Sequence, residues 1–268
     1  MKAPLAACLL LTGCAAPPAE RAAGEQPTIV SLNPCSDAIL AEVADPAQVL
    51  AVSHYSHDPR ATSMPLDVAR RYRATGGTVE EVLALDPDVV VASTFIAPAT
   101  RAAFERLGVR VETVGTVRTV AESGAQVMQL ARLAGQPERG TALVDRIEAA
   151  VNRSQSTKPA IPAVLWQPDG IVPGDGELVS ELMRGAGLIN HSAARGFGQA
   201  DYLSLERLLS DPPEVLLVAG SERGQRHRAL DALSSMRTAA FEPSLLYCGG
   251  PTIIRASERL AAIRRSLR

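Results

Sequence analysis

The sequence predicts an α/β protein of two lobes, each with a mostly parallel sheet flanked by helices, the lobes joined by a single connecting helix. Three observations lead there. The stretch from Thr78 to Ala92 aligns without gaps on Ser204 to Val218, so that Glu80 falls on Glu206, Pro87 on Pro213, Asp88 on Glu214 and Val89 on Val215. Each copy reads as a hydroxyl N-cap, a short amphipathic helix, a proline stop and an aliphatic run suited to a strand buried on both faces. Strand and helix patterns alternate along the first half, which argues for parallel strands with right-handed crossovers. Between the halves, about Glu138 to Val151, Leu143, Ile147 and Val151 form one apolar stripe, with Asp145, Arg146 and Glu148 off it, so this helix occupies the position of a connector.

The element order follows from local signals. Thr28 to Leu32 is a short strand, and Asn33-Pro-Cys-Ser-Asp37 turns it into a helix over about Ala38 to Ala44, with Ser36 or Asp37 able to cap it. Gln48 to Ser53 is the next strand, ending in the polar, aromatic loop His54 to Pro59. A helix near Pro65 to Tyr72 precedes the first repeat, and the helix Pro98 to Leu107 stops at Gly108 before the strand Val109 to Val114. A helical run from Thr119 to Ala134 leads to the connector. The second half opens with the strand Ala163 to Trp166 and the loop Gln167 to Glu177, followed by a helix Leu178 to Gly185 and a strand or turn Gly187 to Asn190. After the second repeat, Leu245 to Tyr247 reads as a last strand, and the helix Ala256 to Leu267 closes the chain, its basic end suiting the negative helix pole.

The expected organisation is a lipoprotein signal over 1–13, a tether over 14–26, a first lobe over 27–136, the connector over 137–157 and a second lobe over 158–268. Lys2 is followed by an apolar run too short to span a bilayer but fitting an export signal. Leu11-Thr12-Gly13-Cys14 resembles a bacterial lipobox, which implies cleavage before Cys14 and lipidation of its thiol, hence an exported protein held to the membrane by a lipid anchor only. Residues 15–27 lack apolar periodicity. Of 4 cysteines, Cys35 and Cys248 then remain, one per lobe. Sequence gives no distance between them. Two separate packing positions are favoured over a disulfide.

Length and composition fit a globular chain: 268 residues, 46% hydrophobic and 21% charged. The net charge of -2 gives a nucleic-acid partner no support. No third glycine completes Gly174-Asp-Gly176 or Gly196-Phe-Gly198, and no Gly-Lys-Ser/Thr loop, serine elbow or ordered triad occurs. The chain is therefore expected not to be an enzyme. Loops after strand ends are where open parallel sheets place ligands. That rule selects His54, Tyr55, His57, Phe95, Phe197, Tyr202 and the arginines Arg60, Arg195 and Arg223, which suit an anionic ligand. Trp166 fits equally a lobe core or a pocket wall. His54 and His57 could share one ion, but zinc normally takes three or four protein ligands. No metal site is assigned, and a metal-ion binding protein or chaperone using these two histidines is the alternative reading.

With lipobox, tether, two lobes, helical connector and repeat together, the chain resembles the class III periplasmic binding proteins of ABC importers, the binders of cobalamin, ferric siderophores and haem. The resemblance covers about residues 27–268 and is strongest at Thr28 to Leu40, Gly76 to Ala92, Gly185-Ala-Gly187, Leu203 to Val218 and Gly250-Pro251. It implies a monomer that captures a metal chelate between its lobes, with Cys35 among the cleft residues, and no intrinsic cofactor. It also implies delivery to a permease dimer with its ATPase subunits, Glu80 and Glu206 docking on permease arginines. Cobalamin binders of this class tend to have an aromatic-rich cleft and a Thr-Glu pair after the first strand, where this chain has Cys35-Ser36-Asp37 and few aromatics. Siderophore binders tend to use cleft arginines.

Overall fold

The computed structural model describes residues 26–267. The expected signal, the tether up to residue 25 and the lipidation site Cys14 lie outside the described residues.

The first lobe comprises β1 (Ile29–Ser31), α1 (Pro34–Val43), β2 (Val49–Ser53), α2 (Leu66–Ala69), β3 (Ala74–Thr75), α3 (Val79–Leu83), β4 (Val89–Ser93), α4 (Pro98–Arg106) and β5 (Arg110–Val114). Its sheet runs β3-β2-β1-β4-β5, and every pairing is parallel. Two longer helices follow, α5 (Val120–Leu133) and α6 (Pro137–Ser154). The second lobe contains β6 (Ile161–Trp166), β7 (Ile171–Val172), α7 (Leu178–Gly185), β8 (Leu188–Asn190), β9 (Asp201–Tyr202), α8 (Leu205–Ser210), β10 (Val215–Val218), α9 (Arg228–Asp231), β11 (Arg237–Ala240) and α10 (Thr252–Ser266). Its parallel sheet runs β11-β10-β6-β8, and β7 and β9 form a separate antiparallel ribbon.

The repeat is real in three dimensions. Thr78 accepts the Glu81 N–H at 3.2 Å to start α3, and Ser204 accepts the Arg207 N–H at 3.3 Å to start α8. Each helix then feeds an inner strand, β4 or β10, buried along most of its length. The turns between differ for a local reason. Asp86 takes a left-handed conformation (φ 50), whereas its counterpart is Pro212, whose ring fixes φ near -65°.

Three expectations need correction. The last strand is Arg237–Ala240, and Pro243–Leu245 is a 3-10 turn. β11 is a mostly exposed edge strand with little apolar signal, while Leu245 and Leu246 are apolar because they join the core. The helix expected over Pro65 to Tyr72 is confined to Leu66–Ala69. The Cys35 and Cys248 side chains are joined in a disulfide across 213 residues, with their Cα atoms 5.1 Å apart. Two cysteines so far apart in sequence meet only because the lobes fold against each other.

One apolar cluster runs through both lobes, from Ile29 and Val91 in the first sheet through Leu130, Leu143 and Ile147 to Leu165 and Leu217 in the second. Helix α6 is fixed to α1 and the turn after it by Arg146–Glu42 (2.9 Å) and Arg139–Asp45 (2.7 Å). The segment after Cys248 presses into the first lobe. A Cβ on Gly249 would stand 2.5 Å from the Ser123 hydroxyl, and one on Gly250 would stand 2.6 Å from Ile39. The Gly250 N–H donates to Ser123 Oγ at 2.7 Å, and Glu181 of α7 caps α5 by accepting the Val120 N–H at 2.9 Å. A shared core, a covalent bond and this close seam leave small lobe rotations as the available motion.

Replacing both Cys35 and Cys248 by Ser is expected to lower stability to denaturant by roughly 2–5 kcal/mol, because the bond closes a long loop of the unfolded chain. Guanidinium unfolding of the oxidised protein and the double variant measures this. Coincident curves would mean that packing alone holds the lobes.

Candidate functional site

Both parallel sheets send their strand-end loops toward the interlobe region, and one buried carboxylate organises the first lobe's share. Asn33 caps α1 by accepting the N–H groups of Cys35 (2.8 Å) and Ser36 (3.4 Å). This sets Asp37 in the helix's first turn, fully buried. Its Oδ2 accepts the Ser53 N–H at 2.9 Å and the Ser56 hydroxyl at 2.6 Å. The loop that carries His54, Tyr55 and His57 is thereby pinned to α1. Burial pushes the Asp37 carboxyl up to about 7, against the opposing effect of hydrogen bonds from Ser31, Ser56 and Ser53. Among the described residues Oδ1 has no hydrogen-bond partner.

The histidines do not converge on an ion. His57 Nε2 contacts the Ala69 carbonyl at 3.0 Å and His54 Nδ1 the Thr75 carbonyl at 3.3 Å, so each ring commits one nitrogen as a donor to the backbone. Among the described residues no group of three His, Cys, Asp or Glu side chains could hold a metal ion. Tyr55, 52% exposed, packs its ring on His54 with centroids 4.1 Å apart. Phe95, 82% exposed, leaves the end of β4. Both aromatic side chains are therefore available to a ligand at the strand ends.

A cavity of about 410 Å³ lies between the lobes. Thr116 and Val117, just past β5, line its first-lobe side; Gln167, Glu177, Gln199 and Tyr247 bring its polar atoms from the second. Gln167 is the first residue beyond β6, and Tyr247 donates its hydroxyl to Gln167 Oε1 at 3.1 Å. Among the described residues the wall contains no arginine or lysine, and Glu177 is its ionisable carboxylate.

Two of the three arginines expected in the cleft have other engagements. Arg60 pairs with Asp58 (3.3 Å), and these hydrogen bonds hold the Asp58 carboxyl below the ordinary range. Arg195 forms a two-pronged contact with Asp211, in a different cavity beside α8. Arg223 is exposed ahead of a short 3-10 turn and is not among the residues lining the cleft cavity. Trp166 is buried in the second lobe, its indole N–H donating to the Leu203 carbonyl at 2.9 Å, which decides for core over pocket wall. Cys35 is tied up in the disulfide rather than presenting a thiol. Tyr202, 63% exposed on β9, pairs with Ile171 beside the cavity wall. Sequence reasoning missed Thr116, Gln167, Gln199 and Tyr247. The strand-end rule points to Gln167, the first residue beyond β6.

Glu80 and Glu206 occupy the first turns of α3 and α8, both exposed. Glu81, not Glu80, turns back to accept from the Gly76 N–H (2.7 Å) and Thr75 hydroxyl (3.0 Å). Its neighbour is left facing solvent. The Glu206 carboxyl is held below its ordinary range by its own backbone N–H and the Ser204 hydroxyl.

The sequence profile of the periplasmic binding protein family matches residues 29–240. The chain belongs to that family. Among solved structures, the vitamin B12-binding protein BtuF of Vibrio cholerae superposes with a TM-score of 0.70 at 19% identity, over 90% of this chain and 97% of that one. The haem-binding protein RhuT of Roseiflexus sp. RS-1 gives 0.70 at 20% identity, over 90% and 98%. Ceue of Helicobacter pylori, solved with Ni(II), gives 0.69 at 15% identity, over 90% and 84%. A comparison with curated protein sequences finds no significant match. Among the described residues no helix is long and apolar enough to cross a membrane.

The folded-state value of Asp37 lies above its value of 3.8 in the unfolded chain. The folded protein therefore holds the extra proton between about pH 4 and 7, and stability is lost as pH rises through that window. The Asp37→Asn variant is expected to flatten this slope in Tm measured from pH 4 to 8. Asp37→Ala, which strands the Ser53 N–H and the Ser56 hydroxyl, is expected to lose about 1–3 kcal/mol. An unchanged slope in the Asn variant would show that Asp37 is ionised throughout.

Proposed function

We propose that this protein captures a metal chelate between its two lobes and delivers it to the permease dimer of an ABC importer with its ATPase subunits. It works outside the cytoplasm as a monomer tethered through lipid on Cys14. The chelate classes are those bound by the family, ferric siderophore, cobalamin or haem, held as cargo rather than as a resident cofactor. The observation that carries the reading is the interlobe cavity at the strand ends, where amide, hydroxyl and apolar groups converge from both lobes.

Its electrostatics favour one chelate type. Gln167, Gln199, Thr116 and Tyr247 offer neutral donors and acceptors, Glu177 adds a negative charge, and no arginine stands in the wall. A ligand rimmed with carboxylates would bring its charges there uncompensated. A corrinoid, whose periphery is rich in amides, matches that wall better than an anionic siderophore or haem. A cavity of about 410 Å³ seats one face of such a chelate and leaves the rest to the open cleft, where Tyr55, Phe95 and Tyr202 supply aromatic surface. The positions of His54 and His57 weigh against the bare-ion alternative, since each ring already donates to a carbonyl.

Docking through Glu80 and Glu206 fits their placement. Two exposed carboxylates, one per lobe, let a transporter grip both lobes at once and register their closure.

The binding test uses the full chain carrying Cys14→Ser, with melting followed against cyanocobalamin, haem, a siderophore panel and zinc. Cyanocobalamin at micromolar concentration is expected to raise Tm and to quench Trp166 by energy transfer, since that indole is buried away from contact. Gln167→Ala and Tyr247→Ala are each expected to weaken binding by roughly tenfold, the loss of one hydrogen bond. Stabilisation by zinc alone, abolished in His54→Ala, would sink the chelate reading. For docking, Glu80→Arg with Glu206→Arg is expected to leave chelate affinity unchanged and to abolish uptake in reconstituted vesicles. Undiminished uptake would remove both residues from the docking surface.

A further inference from the structure

At the opposite end of the second lobe's strands from the cleft lies a cavity of about 260 Å³, between the end of α6, the link 155–160 and the last turns of α10. Arg153, Lys158, Arg264 and Arg265 line it together with the hydroxyl residues Ser154, Ser156 and Thr157, and among the described residues no carboxylate does. Arg264 is the anomaly. It is only 8% exposed, yet among the described residues its Nε has no hydrogen-bond partner, and its side chain's one hydrogen bond there is a 2.7 Å donation from a terminal nitrogen to the Pro159 carbonyl. Buried guanidinium groups are ordinarily paired with a carboxylate. Among the described residues Lys158, Arg264 and Arg265 have no ion-pair partner, and Arg153 reaches Glu258 at a loose 3.8 Å.

The helix ends do not balance this charge. α6 and α10 both point their carbonyl termini at the region, and each terminus is equivalent to about half a negative charge. Four cations exceed two such poles and one distant carboxylate. The surplus is positive and sits among hydroxyl donors, with one guanidinium already ordered by its contact with Pro159. That combination is the one that recognises a tetrahedral oxyanion, through forked guanidinium contacts, an ammonium point charge and hydroxyl donors.

We infer that this cavity is a binding site for a phosphate-class oxyanion, either inorganic phosphate or the phosphodiester of an anionic lipid headgroup. It is separate from the transport cleft and lies where the connector enters the second lobe. An anion there would bridge α6, the link and α10, and so stabilise the joint between the lobes.

The full chain carrying Cys14→Ser, at low ionic strength, is melted against inorganic phosphate, with sodium chloride at matched ionic strength as the control. In parallel it is sedimented with vesicles of phosphatidylglycerol and of phosphatidylcholine. Two variants accompany it, Arg264→Gln and the exposed pair Lys158→Gln with Arg265→Gln, the second keeping the test open if the buried substitution fails to fold. Phosphate is expected to raise Tm by about 2–4 °C, and the exposed pair is expected to lose most of that rise. Selective sedimentation with phosphatidylglycerol, reduced at least fivefold in the pair and without a phosphate effect, would assign the site to a lipid headgroup. The proposal is overturned if chloride reproduces the phosphate shift, if the pair retains both responses in full, or if neither ligand has an effect.

Discussion

The contact on which this architecture depends is the seam where the segment after Cys248 enters the first lobe. There the chain gives up side-chain volume at Gly249 and Gly250, so that its backbone can lie against Ser123 and Ile39. The Cys35–Cys248 bond closes the same seam covalently, and the apolar core continues beneath it from one sheet to the other. The lobes are thus two by topology and one by packing. A cleft between bodies joined in this way is largely formed before a ligand arrives, which reduces the ordering cost of binding.

The first lobe's share of the cleft is held by Asp37 in the same spirit. A carboxyl group buried on α1 receives the Ser53 N–H and the Ser56 hydroxyl, tying the strand-end loop to a helix that itself carries half of the disulfide. Burial that raises its pKa to about 7 lets the group stay neutral below that pH, where it buries no charge without a counterion. The geometry of the His54–His57 loop and the position of the interlobe bond therefore share one helix, and a change in either is felt by the other.

The cleft and the basic cavity at the far end of the second lobe divide the protein's chemistry between them. Arginines are frequent in the sequence, but the structure keeps them from the walls of the interlobe cavity: Arg60 and Arg195 are neutralised by nearby aspartates, and Arg264 and Arg265 gather beside the connector. The polar side chains of the cavity wall are Gln167, Gln199, Thr116, Tyr247 and Glu177. This separation is the physical basis of the cargo preference proposed above for this member of the family.

Much of the fold was legible in the sequence because its signals are local. The hydroxyl caps at Thr78 and Ser204, the aliphatic runs of β4 and β10 and the apolar stripe of α6 each act within one or two turns of chain, and each appears where periodicity put it. β11 was misplaced because an exposed edge strand has no burial pattern to read, and the β7–β9 ribbon was missed because its two-residue strands are defined only by each other. The candidate site was less legible. Strand-end logic named Tyr55 and Phe95, which are exposed but do not line the interlobe cavity, and whether an arginine faces that cavity or an aspartate depends on side chains distant in sequence. The sequence by itself determined two α/β halves, the connector and the matched Glu80 and Glu206, since propensity, capping and periodicity suffice for these. Only the tertiary structure decided that Cys35 bonds Cys248, that Trp166 is core and that the cavity wall is uncharged apart from Glu177, because contacts between distant segments are set by packing and leave no periodic trace in the chain.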